Sequence, residues 1–336
     1  MKIIVDAFGG DHAPEEILLG CAQAMEELGV EILLSGDQKR LESAAAKLNL
    51  SEQLAHMEIL HCSEVLTMED EPASVVKEKA GSSMAVGLKA LAEGKGDAFA
   101  SAGNSGALVV GATTIVKRIR GVRRVSFAPI LPKFEGFFML NDGGANVDCR
   151  PEMLLQFGIM GSAYMKKVMG IENPRVGLAN VGSEDHKGDE LRQEALALLR
   201  ACPSIRFVGN VEARDIPYDA ADVVVADGFT GNMMLKLYEG VAKAVMDKMK
   251  GVFQKSLLNK LAASVVYGDM KALKKSMDYN EYGGAPIMGA SKPVFKIHGS
   301  AKASTVKNAL RLTRDYAQSG IIEEIARAVG KKEETL

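Results

Sequence analysis

Five turns rich in Gly, Asn, Ser and Asp carry the residue types and spacings in this chain that could do chemistry. The first is Asp6-Ala7-Phe8-Gly9-Gly10-Asp11-His12 and the second is Ser101-Ala102-Gly103-Asn104-Ser105-Gly106. NDGGANVD at 141–148, NVGSEDHKG at 180–188 and DGFTGN at 227–232 complete the set. Glycine lets backbone approach an anion closely, while Asn and Ser donate hydrogen bonds without adding charge. That chemistry suits a phosphate or an oxyanion. Any one such turn has an ordinary explanation, because Gly and Asn also end strands and cap helices. Several together shift the balance towards a ligand. No GxxxxGK[ST] occurs and no GxGxxG follows the first apolar run, so nucleotide hydrolysis and Rossmann redox chemistry lose support.

Lys187 lies among polar residues of the fourth turn, where an ammonium can neutralise phosphate or a developing negative charge; a plain surface lysine is the competing reading. His298, in Lys296-Ile297-His298-Gly299-Ser300, is expected near a late strand end, able to donate a proton or a hydrogen bond. A structural histidine explains it equally well. No Ser or Cys occupies a GxSxG elbow, so a covalent acyl-enzyme is not indicated. If the reaction is acyl transfer, phosphate itself can attack, needing only positioning and oxyanion stabilisation.

These turns need a scaffold, and the apolar pattern supplies one. Short Val- and Ile-rich runs alternate with helical periodicity, the rhythm of parallel strands joined by crossover helices. Strands are expected at 2–6, 31–35, 57–61, 98–100, 137–141, 175–180, 206–209 and 223–226, with helices at 14–28, 38–48, 82–93, 105–117, 151–169 and 189–201. The reading is a single α/β unit over 1–336, a continuous three-layer α/β/α sandwich with a largely parallel sheet. In such sheets ligands bind beyond the C-terminal strand ends, where each of the five turns is expected.

Residues 231–279 depart from this rhythm with one long helical pattern, read as a protruding helical hairpin inserted at about 233–279. Its centre groups Phe253, Leu257, Leu258, Leu261, Val265 and Val266 with nearby lysines. Packing against a dimer partner explains much of such a face. At the tip, apolar residues flanked by lysines match a helix that seeks an anionic membrane surface.

Composition sets the outer bounds. With 47% apolar and 25% charged residues the chain is expected to fold throughout, and a net charge of -2 gives no reason to expect nucleic acid as a partner. The four cysteines, Cys21, Cys62, Cys149 and Cys202, form no CxxC pair and read as buried reduced thiols. The N-terminus turns acidic early and lacks a signal-peptide pattern, and no run of about 18 apolar residues occurs. A cytoplasmic protein, at most attached to a membrane surface, is expected.

Taken together, VDAFGGDHAPE, SAGNSGAL, GGANVD, HKGDEL, FVGNVEARDI, DGFTGNMMLK, YGGAPIMG and IHGSA closely resemble the bacterial phosphate acyltransferase family of phospholipid synthesis. The blocks run in the same order from residue 2 to 317, which is far more specific than a single glycine motif. The resemblance implies a fold related to phosphotransacetylases and isopropylmalate-type dehydrogenases. It implies an enzyme that uses inorganic phosphate to cleave a fatty acyl thioester of acyl carrier protein, releasing acyl phosphate. It also implies a homodimer working close to the membrane, where a downstream glycerol-3-phosphate acyltransferase takes the acyl group. No cofactor is expected and, with phosphate already anionic and no acidic ligand cluster evident, no metal.

Mapped by chemistry onto those blocks, Gly103, Asn104, Ser105 and Gly106 form the phosphate cradle, with Gly9, Gly10 and Asp11 beside it. Asn146, Asp227 and Asn232 shape the site and Lys187 is the favoured charge stabiliser. Asn180, Asn210 and His298 hold the thioester carbonyl or protonate the departing thiolate. The alternatives are an acyltransferase using coenzyme A thioesters, a nicotinamide-dependent decarboxylating dehydrogenase, which would want an aspartate cluster for Mg²⁺, and a non-catalytic membrane scaffold.

Overall fold

The structure, a computed structural model, describes residues 1–276 and 283–330. Twelve strands are present among them: β1 (Lys2–Asp6), β2 (Glu31–Gly36), β3 (Glu58–His61), β4 (Ala98–Ser101), β5 (Ser126–Phe127), β6 (Ile130–Pro132), β7 (Phe137–Asn141), β8 (Arg175–Asn180), β9 (Arg206–Glu212), β10 (Val223–Val225), β11 (Gly284–Met288) and β12 (Val294–Ile297). The helices are α1 (Glu15–Leu28), α2 (Gln38–Leu48), α3 (Ser51–Ala55), α4 (Ser83–Ala92), α5 (Ser105–Gly111), α6 (Pro151–Lys167), α7 (Glu190–Arg200), α8 (Gly228–Gln254), α9 (Leu257–Val265), α10 (Tyr267–Ser276), α11 (Ala303–Gln318) and α12 (Ile321–Gly330).

The α/β class and the largely parallel pairing are as expected. The strands, however, divide into two sheets: a seven-stranded one ordered β3-β2-β1-β4-β12-β11-β5 and a five-stranded one ordered β6-β7-β10-β8-β9. Sequence periodicity did not reveal β5, β6, β11 and β12. β5 and β6 are only two and three residues long, and the pairs β11–β12, β11–β5 and β6–β7 are antiparallel.

Central strands are buried on both faces, the reason they read as continuous apolar runs. In β1, Ile3 and Val5 join one apolar cluster and Ile4 another. In β10, Val223 and Val225 join the first of these clusters and Val224 a third. The cluster shared by β1 and β10 draws on both sheets, and within it the rings of Tyr164 of α6 and Tyr316 of α11 lie 5.9 Å apart, tilted by 37°. At the N-terminal edge of the second sheet, Asp222 accepts from the Arg175 backbone at 2.9 Å and from its guanidinium at 2.9 and 3.0 Å, with Lys133 at 3.3 Å. This ties β8 and β10 to the hairpin of β6 and β7.

Helix starts follow local chemistry. Asp37, Ser82, Asn104, Asp189, Asp227 and Ser256 each turn a side-chain oxygen to a first-turn N–H, and Pro151 begins α6. The long helical pattern resolves into α8, 27 residues, then two shorter helices broken where Ser256 caps α9. Its expected last residues, 277–279, lie outside the described residues, as does Tyr282. No residue of α9 is buried. Leu257, Leu258, Leu261 and Val265 are 65–84% exposed, whereas Val266 is half-buried. No helix among the described residues is long and apolar enough to cross a membrane.

Candidate active site

β1, β4 and β12 are parallel neighbours, so the turns that follow them emerge on one edge of the first sheet. The chain places β2 on one side of β1 and β4 on the other, and ligands bind at such switch points. The turns are locked together. Asp11 N–H donates to the Gly299 carbonyl at 2.8 Å. Asp6, 2% exposed, accepts from the Ser101 hydroxyl at 2.6 Å, and Ser101 Oγ accepts from Gly103 N–H at 3.0 Å. Burial raises the Asp6 carboxyl above its ordinary range, against the hydrogen bond from Ser101. A Cβ at Gly9 would sit 2.6 Å from the Gly103 nitrogen, so glycine is what lets the first two turns meet.

The turn after β7 winds around buried Asp142, whose carboxylate accepts the backbone N–H groups of Phe127, Gly144, Ala145 and Asn146 and the Asn146 amide. Helix α8 starts hard against it. Gly228 N–H donates to the Asn146 carbonyl at 2.6 Å, and a Cβ at Gly231 would lie 1.8 Å from the Asp142 carbonyl oxygen.

Between these two sets of turns lies a cleft of about 580 Å³. Asp11, Ser105, Asn232, Lys236, Glu239, Lys296, His298 and Ser300 form its polar lining, and Met68, Val109, Phe127, Ile130, Leu131 and Leu235 belong to its apolar wall. One space thus joins donors suited to an anion with a surface suited to a hydrocarbon chain.

The turn pattern gave no hint of Lys296, which stands inside β12 between Phe295 and Ile297. It is 6% exposed, and its ammonium donates to the Ala102 carbonyl at 3.0 Å and the Ile297 carbonyl at 2.5 Å. Burial lowers its pKa to about 8, with nearby Asp6 and Asp11 pulling the other way. A lone cation inside an apolar strand, two residues before His298, is the signal that could have found it. His298 Nδ1 lies 2.9 Å from Ser300 Oγ. Burial, then the charge of Lys296, lowers the His298 pKa, with Glu239 and Asp11 pulling the other way.

Of the residues singled out from the sequence, Asp11, Ser105, Gly106, Asn232 and His298 converge on the cleft, and Gly9, Gly10 and Gly103 belong to the turns that shape it. Asn104 is a cap and a brace. Its Oδ1 accepts from Ala107 N–H at 3.1 Å and its Nδ2 donates to the Asp70 carbonyl at 3.1 Å. Asn146 Nδ2 donates to the Val125 carbonyl at 2.7 Å and to Asp142 at 2.8 Å.

Lys187, Asn180, Asn210 and Asp227 are not among the residues lining the cleft. Asn180 ends β8, Asn210 lies within β9, Lys187 is in the loop after β8 and Asp227 follows β10. Asp227, 6% exposed, caps α8 through Thr230 N–H at 2.9 Å and pairs with Arg192. Asn180 Nδ2 donates to the Lys187 carbonyl at 3.1 Å and Asn210 Nδ2 to the Glu184 carbonyl at 2.9 Å, which fixes the 180–188 loop. The half-buried Lys187 side chain runs past Gly182.

The four cysteines are free, three buried and Cys149 half-buried. Burial pushes the Cys21, Cys62 and Cys149 thiols up to about 12, far from the thiolate a nucleophile needs. No group of three or more His, Cys, Asp or Glu among the described residues is placed to hold a metal ion.

A family model described as "Fatty acid synthesis protein" matches residues 1–324. The phosphate acyltransferase of Acetivibrio thermocellus is 48% identical over 326 residues, covering 97% of this chain and 95% of its own. That of Oceanobacillus iheyensis is 44% identical, covering 99% of this chain and 100% of its own. Among solved structures, a phosphotransacetylase from Streptococcus pyogenes shares the fold at a TM-score of 0.63 and 18% identity, covering 94% of both chains.

Proposed function

We propose a function from one premise: this chain belongs to the phosphate acyltransferase family, and so transfers acyl groups with phosphate. The acyl donor is a long-chain fatty acyl thioester of acyl carrier protein, and the product is the acyl phosphate used in bacterial phospholipid synthesis. One observation carries this reading: a single cleft is lined both by Ser105, Asn232, Lys296 and His298 and by the apolar side chains of Val109, Phe127, Ile130 and Leu131. The phosphate and the fatty chain need those two environments side by side.

In the proposed reaction a phosphate oxygen attacks the thioester carbonyl carbon. The C–O bond forms as the carbonyl electrons move to oxygen, and collapse of that oxyanion breaks the C–S bond. The hydrogen carried by monohydrogen phosphate ends on the released thiol, so atoms and charge balance. The turns of Gly9–Asp11 and Gly103–Gly106 hold the phosphate, and Asn232 and His298 face the reacting carbonyl and the departing sulfur. No side-chain nucleophile takes part, in keeping with the suppressed thiols. Catalysis then rests on positioning and on stabilising charge. Lys187 and Asp227, on the adjoining loops, keep a proposed part as charge stabiliser and organiser of α8.

In this reading the enzyme works as a homodimer at an anionic membrane surface, where a glycerol-3-phosphate acyltransferase can take the acyl phosphate; the exposed leucines of α9 support the membrane contact. Thiol release from acyl carrier protein and from coenzyme A thioesters of the same chain length tests the donor. Greater kcat/KM with acyl carrier protein is expected; preference for coenzyme A would move the reading to the other carrier.

A further inference from the structure

We propose that Lys296 is a catalytic residue that grips the attacking phosphate from the floor of the cleft, an inference that rests on the phosphate-dependent acyl transfer argued above. Lysine is almost never fully buried unless it is paired, and Lys296 is 6% exposed with no carboxylate in ion-pair contact among the described residues. An ammonium has three N–H donors. Two go to the carbonyls of Ala102 and Ile297; the third is left over on a side chain that lines the cleft. The two carbonyls fix the nitrogen beside the turn 101–106 without cancelling its charge.

The other lysine of the cleft is placed differently. Lys236 is exposed and paired with Glu239 at 3.0 Å, so its charge is already answered and screened by water. Around Lys296, Asp6 of β1 and Asp11 of the first turn act on it only through space, and Lys236 of α8 opposes them. Burial and the charge of Lys296 both lower the pKa of His298, two residues on. A dianionic phosphate therefore supplies the hydrogen-bonding counter-charge this buried ammonium otherwise lacks. The same burial holds the ammonium near a pKa of about 8, so the grip weakens as pH rises through that value.

The experiment measures kcat and KM for inorganic phosphate and for the acyl thioester in full-length wild-type protein, Lys296→Met and Lys296→Arg, from about pH 7 to about pH 9.5. Wild-type kcat/KM for phosphate should fall above about pH 8. Lys296→Met should raise the phosphate KM by about 10- to 100-fold and leave the thioester KM within about twofold. Lys296→Arg, always charged, should flatten the pH dependence. Unchanged phosphate KM in Lys296→Met overturns the assignment. So does a wild-type profile that stays flat through pH 8, a result that requires neither variant to fold. If wild-type protein releases no thiol in response to phosphate, the reading of the reaction fails instead.

Discussion

The Lys296 ammonium lies 3.0 Å from the carbonyl oxygen of Ala102, joining the end of β12 to the turn that follows β4. That contact, with the Asp11 N–H to Gly299 carbonyl bond on the other side, makes three strand ends into one surface. The first sheet thus presents a rigid polar edge to the cleft. The second sheet meets it through the Asp142 turn and the first turns of α8.

The joint between Asp142 and α8 depends on glycine at 231. Alanine there would drive its Cβ to 1.8 Å from a backbone oxygen, so Gly231→Ala should destabilise the protein by about 3 kcal/mol and reduce activity with it. Gly240, in the same helix, has nothing within 4 Å of its Cβ position, and Gly240→Ala should stabilise by about 0.5–1 kcal/mol. Urea unfolding of both variants checks the contrast; equal effects would contradict it.

Asp227 caps α8 and answers the charge of Arg192. Asp227→Ala should cost about 1–3 kcal/mol, since it removes a cap and one of the two carboxylates that pair with Arg192, Asp189 remaining. Asp227→Asn keeps a capping oxygen and should lose clearly less. Chemical denaturation separates them. If both variants keep full stability and both lose activity, Asp227 acts directly on the reaction rather than through α8.

Burial would raise the Asp222 carboxyl, but hydrogen bonds from Arg175 outweigh it and hold the pKa at about 2. A carboxylate depressed on folding contributes stability that is present above its unfolded value, 3.8, and lost as pH falls from there through about 2. Asp222→Asn should therefore lower stability at neutral pH by about 3 kcal/mol. The gap to wild type should close over that acidic window, and a gap independent of pH would contradict the ion cluster's role.

Leu258 and Val265, 77% and 84% exposed on α9, are the proposed membrane contact. Burying such side chains in a lipid interface is worth about 1.5–3 kcal/mol each, so Leu258→Asp and Val265→Asp should each reduce flotation with anionic vesicles by at least about tenfold. Parental flotation of both variants would remove α9 as the anchor.

Much of this architecture is legible in the residues. The Val- and Ile-rich runs of β1 and β10 are buried on both faces and announce themselves; two-residue β5 and three-residue β6 carry too little pattern to do so. Within the site, residue type was readable but partner was not. An Asn amide offers several hydrogen-bonding positions, and at Asn104, Asn146, Asn180 and Asn210 nearby backbone uses them. Asp11, Ser105, Asn232 and His298 reach the cleft because their turns sit at strand ends and a helix start. Lys296 is not legible in the same way because it lies in a strand, where an apolar run hides a charge that only the tertiary fold explains.

The central claim is that phosphate attacks the thioester directly in this cleft. Its most direct test is a simultaneous measurement of thiol released from long-chain acyl carrier protein and of acyl phosphate formed, as phosphate is varied. One acyl phosphate per thiol, saturating in phosphate and absent without it, is the expected result. Thiol release that proceeds equally without phosphate, or that yields free fatty acid as the first product, would contradict it.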